Sequence, residues 1–138
     1  MATIADIIAA HEKREGPLLP ILHDVQASFG HVSEAAIREI AHALNLTRAE
    51  VHGVVSFYHD FRTEPDNRPA IRICRAEACK ARGVEALIPA IAQAAGARVH
   101  VETVYCLGLC SVGPSAMTGS QVHARLTRES AVALVEGL

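Results

Sequence analysis

Long apolar runs, blocks of like charge and tryptophan are all missing from this chain of 138 residues. No stretch of about 18 uncharged apolar residues exists, so no membrane-spanning segment is expected. The first residues, Met1-Ala2-Thr3-Ile4-Ala5-Asp6, have neither the basic start nor the apolar centre of a secretory signal, and the expected location is cytoplasmic. Thirteen Lys and Arg and fifteen Asp and Glu, a net charge of −2, are mixed along the chain without a basic block. That removes the electrostatic footprint for nucleic acid or an anionic membrane surface and leaves other proteins as the expected partners. No G-x-G-x-x-G follows a predicted strand and no phosphate-cradling loop is present, so nucleotide and flavin are not expected on this chain. Internal repeats and low-complexity segments are absent as well. Aromatics are scarce: two Tyr and three Phe. Phe57, Tyr58 and Phe61 are most of them, and the helical spacing of Tyr58 and Phe61 predicts core positions for both.

The scarce residue that carries chemistry is cysteine. Four cysteines form two pairs, Cys74-x4-Cys79 and Cys106-x3-Cys110, with none left over. Thiolates are the ligands that soft metals and iron-sulfur clusters select, so the two pairs predict a closed four-thiolate shell. Two disulfides would not persist in a reducing cytosol. A thiol-disulfide enzyme would place C-x-x-C at a helix N-terminus, and that motif is missing. Structural zinc also takes four cysteines at such spacings, so spacing alone leaves zinc and iron-sulfur open, although neither pair is the C-x2-C of most zinc ribbons. Histidine is not needed to complete the shell. His11, His23, His31, His42, His52 and His59 lie in the helical half, and only His100 and His123 fall on predicted strands.

Residues 1–64 carry helical periodicity alone. Ile4, Ile7 and Ile8 open a short amphipathic stretch. Pro17 suits a first helical position, and Leu18, Ile21, Leu22, Val25 and Phe29 form a stripe ended by Gly30. Ser33 caps a third helix with Ile37, Ile40, Ala41 and Leu44 inside, and Thr47-Arg48-Ala49-Glu50 reads as a capping box ahead of Val51, Val54, Val55 and Tyr58. A break follows over Arg62 to Pro69, where two prolines and mixed charge interrupt any period.

From residue 70 to 138 the grammar changes. A short strand at Ala70 to Ile73, a helix through Val84, Leu87, Ile88, Ile91 and Ala95 ended by Gly96, and an alternating strand through Val99, Val101, Thr103 and Tyr105 make a βαβ unit. Ser115 to Thr118 and Gln121 to Leu126 then form a hairpin about Gly119-Ser120, a pair suited to a type II′ turn. Thr127 caps a last helix with Ala131, Leu134, Val135 and Leu138. The expected class is α+β, a small helical bundle at 1–64 followed by a βαβ-ββα domain at 70–138.

If the crossover helix joins neighbouring parallel strands, both strands end on one edge of the sheet. Cys74 then ends the first strand, Cys106 follows the second, and Cys79 and Cys110 lie in the loops beyond, so four sulfurs converge. Ala76, Ala78, Leu107, Leu109 and Val112 would exclude water, while Gly108 and Gly113 let backbone N–H groups approach sulfur. Arg75, Lys80 and Arg82 are available to offset negative charge, or are plain surface.

These pairs do not stand alone. Leu19-Pro20-Ile21-Leu22, Gln26, Gly30 and the run Ala49-Glu50-Val51-His52-Gly53-Val54-Val55-Ser56-Phe57-Tyr58 resemble the AEVYGVxxFY region of the thioredoxin-like 2Fe-2S ferredoxin family. Cys106-Leu107-Gly108-Leu109-Cys110-Ser111-Val112-Gly113-Pro114 is similar to that family's CLGxCxxxP run. His31 and His52 depart from it, standing where the family often has tyrosine. The resemblance implies a thioredoxin-like fold for 70–138, a cis Pro114, and one 2Fe-2S cluster on Cys74, Cys79, Cys106 and Cys110, with no catalytic residue on this chain. Cys74-Arg75-Ala76-Glu77-Ala78-Cys79 and Ser111-Val112-Gly113-Pro114-Ser115-Ala116-Met117 are most similar to gamma subunits of NAD-dependent formate dehydrogenases. That branch implies an electron-transfer subunit of a cytoplasmic complex, exchanging single electrons with the flavin of a partner. FMN and NAD would sit on a flavin-containing NAD-reducing subunit, and the molybdenum cofactor on a molybdenum-containing catalytic subunit. The equivalent subunits of NADH:quinone oxidoreductases and NAD-linked hydrogenases are the neighbouring branches. From other classes, a zinc-stabilised binding module and a thiol-based redox sensor remain as rivals.

Overall fold

The structure, a computed structural model, describes all residues from Met1 to Leu138. The chain divides into two compact units, Met1–Asn67 and Arg68–Leu138.

The first unit is four helices, α1 (Ile4–Ala10), α2 (Leu18–Phe29), α3 (Glu34–Ala43) and α4 (Arg48–Phe57). Side chains set their starts. Thr3 and Asp6 form a capping box on α1, Ser33 accepts from the Ala36 N–H, and Thr47 accepts from the Glu50 N–H while its own N–H donates to the Glu50 carboxylate at 2.7 Å. Pro17 takes the position just before α2, and Gly30 ends that helix at φ 79°, a conformation glycine adopts without steric cost. Ile7, Ile21, Leu22, Val25, Ile37, Ile40, Val51 and Val55 form the core, with Val32 and Phe61 closing it. Tyr58 corrects its sequence expectation: it is 43 % exposed. Helix α4 ends at Phe57 and Tyr58 is already extended, at ψ 112°, so helical spacing no longer carries its ring inward.

The second unit is built on a sheet of order β2-β1-β3-β4, from β1 (Ala70–Cys74), β2 (His100–Val104), β3 (Ala116–Thr118) and β4 (Gln121–His123). β1 and β2 are parallel, with Ala70 opposite His100 and Cys74 opposite Val104; β3 is antiparallel to β1, and β4 to β3. Between β1 and β2 run α5 (Glu77–Ala81) and α6 (Val84–Ala95), and α7 (Arg128–Glu136) ends the chain beside α6. Ile71, Ile73 and Ala116 from the sheet meet Val84, Leu87, Ile91 and Ala95 of α6 and Ala131 and Val135 of α7 in one core. Val101 and Thr103 sit in register beside Ile71 and Ile73 yet stay exposed, because β2 is an edge strand. The hairpin turn has Gly119 at φ 57° and no positive φ at Ser120, as a type II′ turn requires. β4 stops at His123, short of the expected Leu126. Leu126 leaves the ladder to bury its side chain and donate its N–H to the Pro114 carbonyl at 3.0 Å. No helix is long and apolar enough to cross a membrane.

Candidate metal centre

The parallel register of β1 and β2 decides where the cysteines lie. Cys74 is the last residue of β1 and pairs with Val104, the last of β2; Cys106 follows just beyond. The Arg75 N–H donates to the Val104 carbonyl at 2.9 Å, extending the ladder one step and tying the two loop starts together. Cys79 lies in α5, where the sequence predicted a loop. Five residues are too short a helix to display a period. Cys110 opens a single 3₁₀ turn, Cys110–Val112.

The four thiols are free and fall into two pairs. Cys106 Sγ and Cys110 Sγ are 3.4 Å apart, and the Cys79 thiol lies close enough to Cys74 to help lower its thiol. Cys74 and Cys79 are buried, whereas Cys106 and Cys110 are exposed. Backbone amides converge on the sulfurs. Gly108 donates to Cys106 Sγ at 3.3 Å, and the amides of Ala76, Cys106 and Leu107 lie near enough to Cys74 to lower its thiol. The amides of one cysteine loop thus hold the sulfur of the other. Cys106 itself has φ 100° and Gly108 φ 76°. For a non-glycine residue this conformation costs on the order of 1–3 kcal/mol and persists only where surrounding contacts hold it.

Burial is the largest single influence on Cys74 and pushes its thiol up, but the three amides and the Cys79 thiol together outweigh it and leave the thiol below its ordinary value. Cys110 is pushed the other way, first by its hydrogen bond to the Cys106 thiol and then by that neighbour's charge. Two thiolates in contact repel, and a bound cation removes the conflict.

Gly113 closes the site from β3's side. A Cβ there would stand 3.0 Å from Cys79 Sγ and 3.3 Å from Arg82 Cδ, a tight fit in which a neighbour must give slightly, so the bare backbone approaches the sulfur most closely. Sequence reasoning gave Gly113 an N–H role; its observed role is this close approach. The Gly113-Pro114 peptide is cis. Ala76, Ala78, Leu107, Leu109 and Val112 are all half-buried around the loops. Among the cations, Arg75 is held by both oxygens of Glu85 at 2.8 and 2.6 Å and Lys80 lies 3.9 Å from Glu77, which leaves Arg82 without a carboxylate partner. His100 bonds the Arg68 side chain at 2.9 Å and His123 the Thr118 hydroxyl at 2.8 Å, and neither joins the thiols.

The sequence profile of the thioredoxin-like 2Fe-2S ferredoxins matches residues 4–138. The chain belongs to this family. This ferredoxin is 27 % identical over 133 residues to the NADP-reducing hydrogenase subunit HndA of Solidesulfovibrio fructosivorans, covering 90 % of this chain and 78 % of that one. It is 29 % identical over 137 residues to the NADH-quinone oxidoreductase subunit 2 of Thermus thermophilus, across 92 % of this chain and 76 % of the relative. A solved chain of an NAD+-reducing nickel-iron hydrogenase in the air-oxidised state superposes with a TM-score of 0.72 at 28 % identity, over 87 % of this chain. The match spans 22 % of that longer chain. The fold of the ferredoxin is therefore thioredoxin-like α+β, and its cofactor is one 2Fe-2S cluster.

The residues present fit that group. Two thiolates on one tetrahedral metal, with bonds of about 2.3 Å, stand about 3.8 Å apart. The Cys106–Cys110 separation of 3.4 Å is already close to this. The thiols pair two and two, an arrangement that two irons could share.

Proposed function

We propose that Cys74, Cys79, Cys106 and Cys110 hold the 2Fe-2S cluster, the first two on one iron and the last two on the other. We further propose that the chain is the electron-transfer subunit of a cytoplasmic NAD-dependent formate dehydrogenase. The ligand assignment rests on one observation, the two cysteine pairs brought to the shared end of β1 and β2, with Cys106 and Cys110 in contact. When bound, the cluster cycles between two states one electron apart. The chain's residues govern that exchange. The amides of Ala76, Cys106, Leu107 and Gly108 aim positive dipole ends at the sulfurs and favour the added negative charge. The half-buried alanines and leucines keep water from the inner pair. The exposed Cys106 and Cys110 give a partner's flavin its shortest approach.

The formate branch is supported by the wording of residues 74–79 and 111–117, which resembles formate dehydrogenase gamma subunits. In this reading FMN and NAD are held by a flavin-containing NAD-reducing subunit, and formate is oxidised by a molybdenum-containing catalytic subunit. This chain carries no catalytic residue. A second reading, the equivalent subunit of a hydrogenase or an NADH:quinone oxidoreductase, draws on the names of the relatives. Two experiments test the proposal. Anaerobically purified protein is expected to hold about two irons per chain, to bleach with dithionite and to give an EPR signal on reduction. One zinc and no EPR signal would leave a structural module instead. The native complex is expected to reduce NAD with formate; activity with hydrogen or quinone alone would select the second reading.

A further inference from the structure

Two polar residues are buried in this chain, His11 and Ser115, and Ser115 is the deeper at 1 % exposure. It lies between the Gly113-Pro114 peptide and strand β3. Its carbonyl accepts the Cys74 N–H at 3.0 Å, and its hydroxyl oxygen stands 3.7 Å from Cys79 Sγ. One residue therefore reaches both buried cysteines, Cys74 through its backbone and Cys79 through its side chain. A metal-bound thiolate has lone pairs and no proton, so in that contact the hydroxyl donates and the sulfur accepts. The geometry leaves the serine little freedom: the Leu126 N–H anchors the preceding Pro114 carbonyl, and Gly113 presses against the same sulfur.

We infer that Ser115 sets the reduction potential of the cluster by donating its hydroxyl hydrogen bond to Cys79 Sγ. The inference rests on the ligand assignment proposed above. Reduction adds one electron from an outside donor, and part of the added charge resides on the ligand sulfurs. An O–H dipole aimed at a sulfur stabilises the reduced state more than the oxidised one, and hydrogen bonds to sulfur are among the levers that set cluster potentials. Cys79 and Ser115 are both 1 % exposed, so water screens this dipole far less than it would at the surface. The amides at the site belong to the backbone of any sequence. The Ser115 hydroxyl is a side-chain donor, which substitution can remove alone. Ser115 is a positioning and tuning residue, acting through Cys79.

The test is a redox titration, followed by EPR, of the full chain with its cluster, for wild type and for Ser115→Ala, Ser115→Val and Ser115→Thr. Threonine keeps the hydroxyl and matches valine in size, so this pair separates the hydrogen bond from packing. Ser115→Ala and Ser115→Val are expected to shift the one-electron equilibrium about tenfold toward the oxidised state, ~59 mV more negative, with Ser115→Thr within about twofold of wild type. Iron content is counted on every sample. Alanine and valine variants within about twofold of wild type would overturn the inference, as would a threonine variant shifted as far as valine. Failure of all three variants to hold iron would assign Ser115 to building the shell, and overturn the tuning role. A wild-type protein without a cluster would overturn the ligand assignment, and the inference with it. A wild-type cluster whose potential the variants leave unmoved would overturn the Ser115 role alone.

Discussion

At the scale of single residues the tightest constraint is at Gly113, where an added methyl would meet Cys79 Sγ at 3.0 Å, with Arg82 Cδ on the other side at 3.3 Å. Gly113→Ala asks the sulfur to give by a few tenths of an ångström, and the expected outcome is a lower iron content than wild type, read as iron per chain and as visible absorbance. The four cysteines were legible as two pairs because residue type and short spacing are local properties of a sequence. Their hydrogen-bond donors were not. The amides of Cys106 and Leu107 reach Cys74 across the β1–β2 register, and Ser115 reaches Cys79 from 36 positions away. No periodicity encodes either contact, since both follow from how two loops close over each other.

At the scale of elements, the start of α4 is legible because a capping box is a four-residue signal. Thr47→Ala removes the cap of α4 and is expected to cost about 1 kcal/mol, measured by denaturant unfolding. Hydrogen bonds from the Thr47 backbone N–H and hydroxyl hold the Glu50 carboxyl below its ordinary value. Its folded pKa therefore lies under its unfolded one, so the carboxylate's contribution is present above the ordinary glutamate value and is lost as pH falls through the lowered one. The stability gap between wild type and Glu50→Gln should close in that acid range. Helix α6 carries Pro89 in its interior, where it cannot donate to the preceding turn. Restoring that donor is worth about 3 kcal/mol and loosening the unfolded chain costs about 1, so Pro89→Ala is expected to gain about 2 kcal/mol. Calorimetry would show the rise as a higher unfolding temperature. Where the sequence misleads, at α5 taken for loop and at the far end of β4 extended to Leu126, the cause is brevity. α5 has five residues and β4 has three, fewer than a hydrophobic period needs to declare itself.

At the scale of the whole molecule, each of the two units has an apolar core of its own, one centred on Ile21, Ile37 and Ile40, the other on Ile71, Ile73 and Ile91. In the sequence the change of grammar falls over Arg62 to Pro69, between helical periodicity at 1–64 and the βαβ-ββα order at 70–138. Ile37→Ala opens a cavity in the first core and is expected to destabilise it by about 2–5 kcal/mol, while iron content in the second unit stays at the wild-type level. Thermal unfolding followed by hydrogen exchange, with iron counted beforehand, checks both halves of that statement. The thiol shell, by contrast, is lopsided: Cys74 and Cys79 are sealed inside while Cys106 and Cys110 face solvent. Corrosion of the centre is consequently directional. Dissolved oxidants are expected to meet the outer thiols first, and with Cys110 3.4 Å from Cys106 a sulfenic acid on either condenses with the other to a disulfide. In the isolated chain the inner pair is what such weathering would reach last.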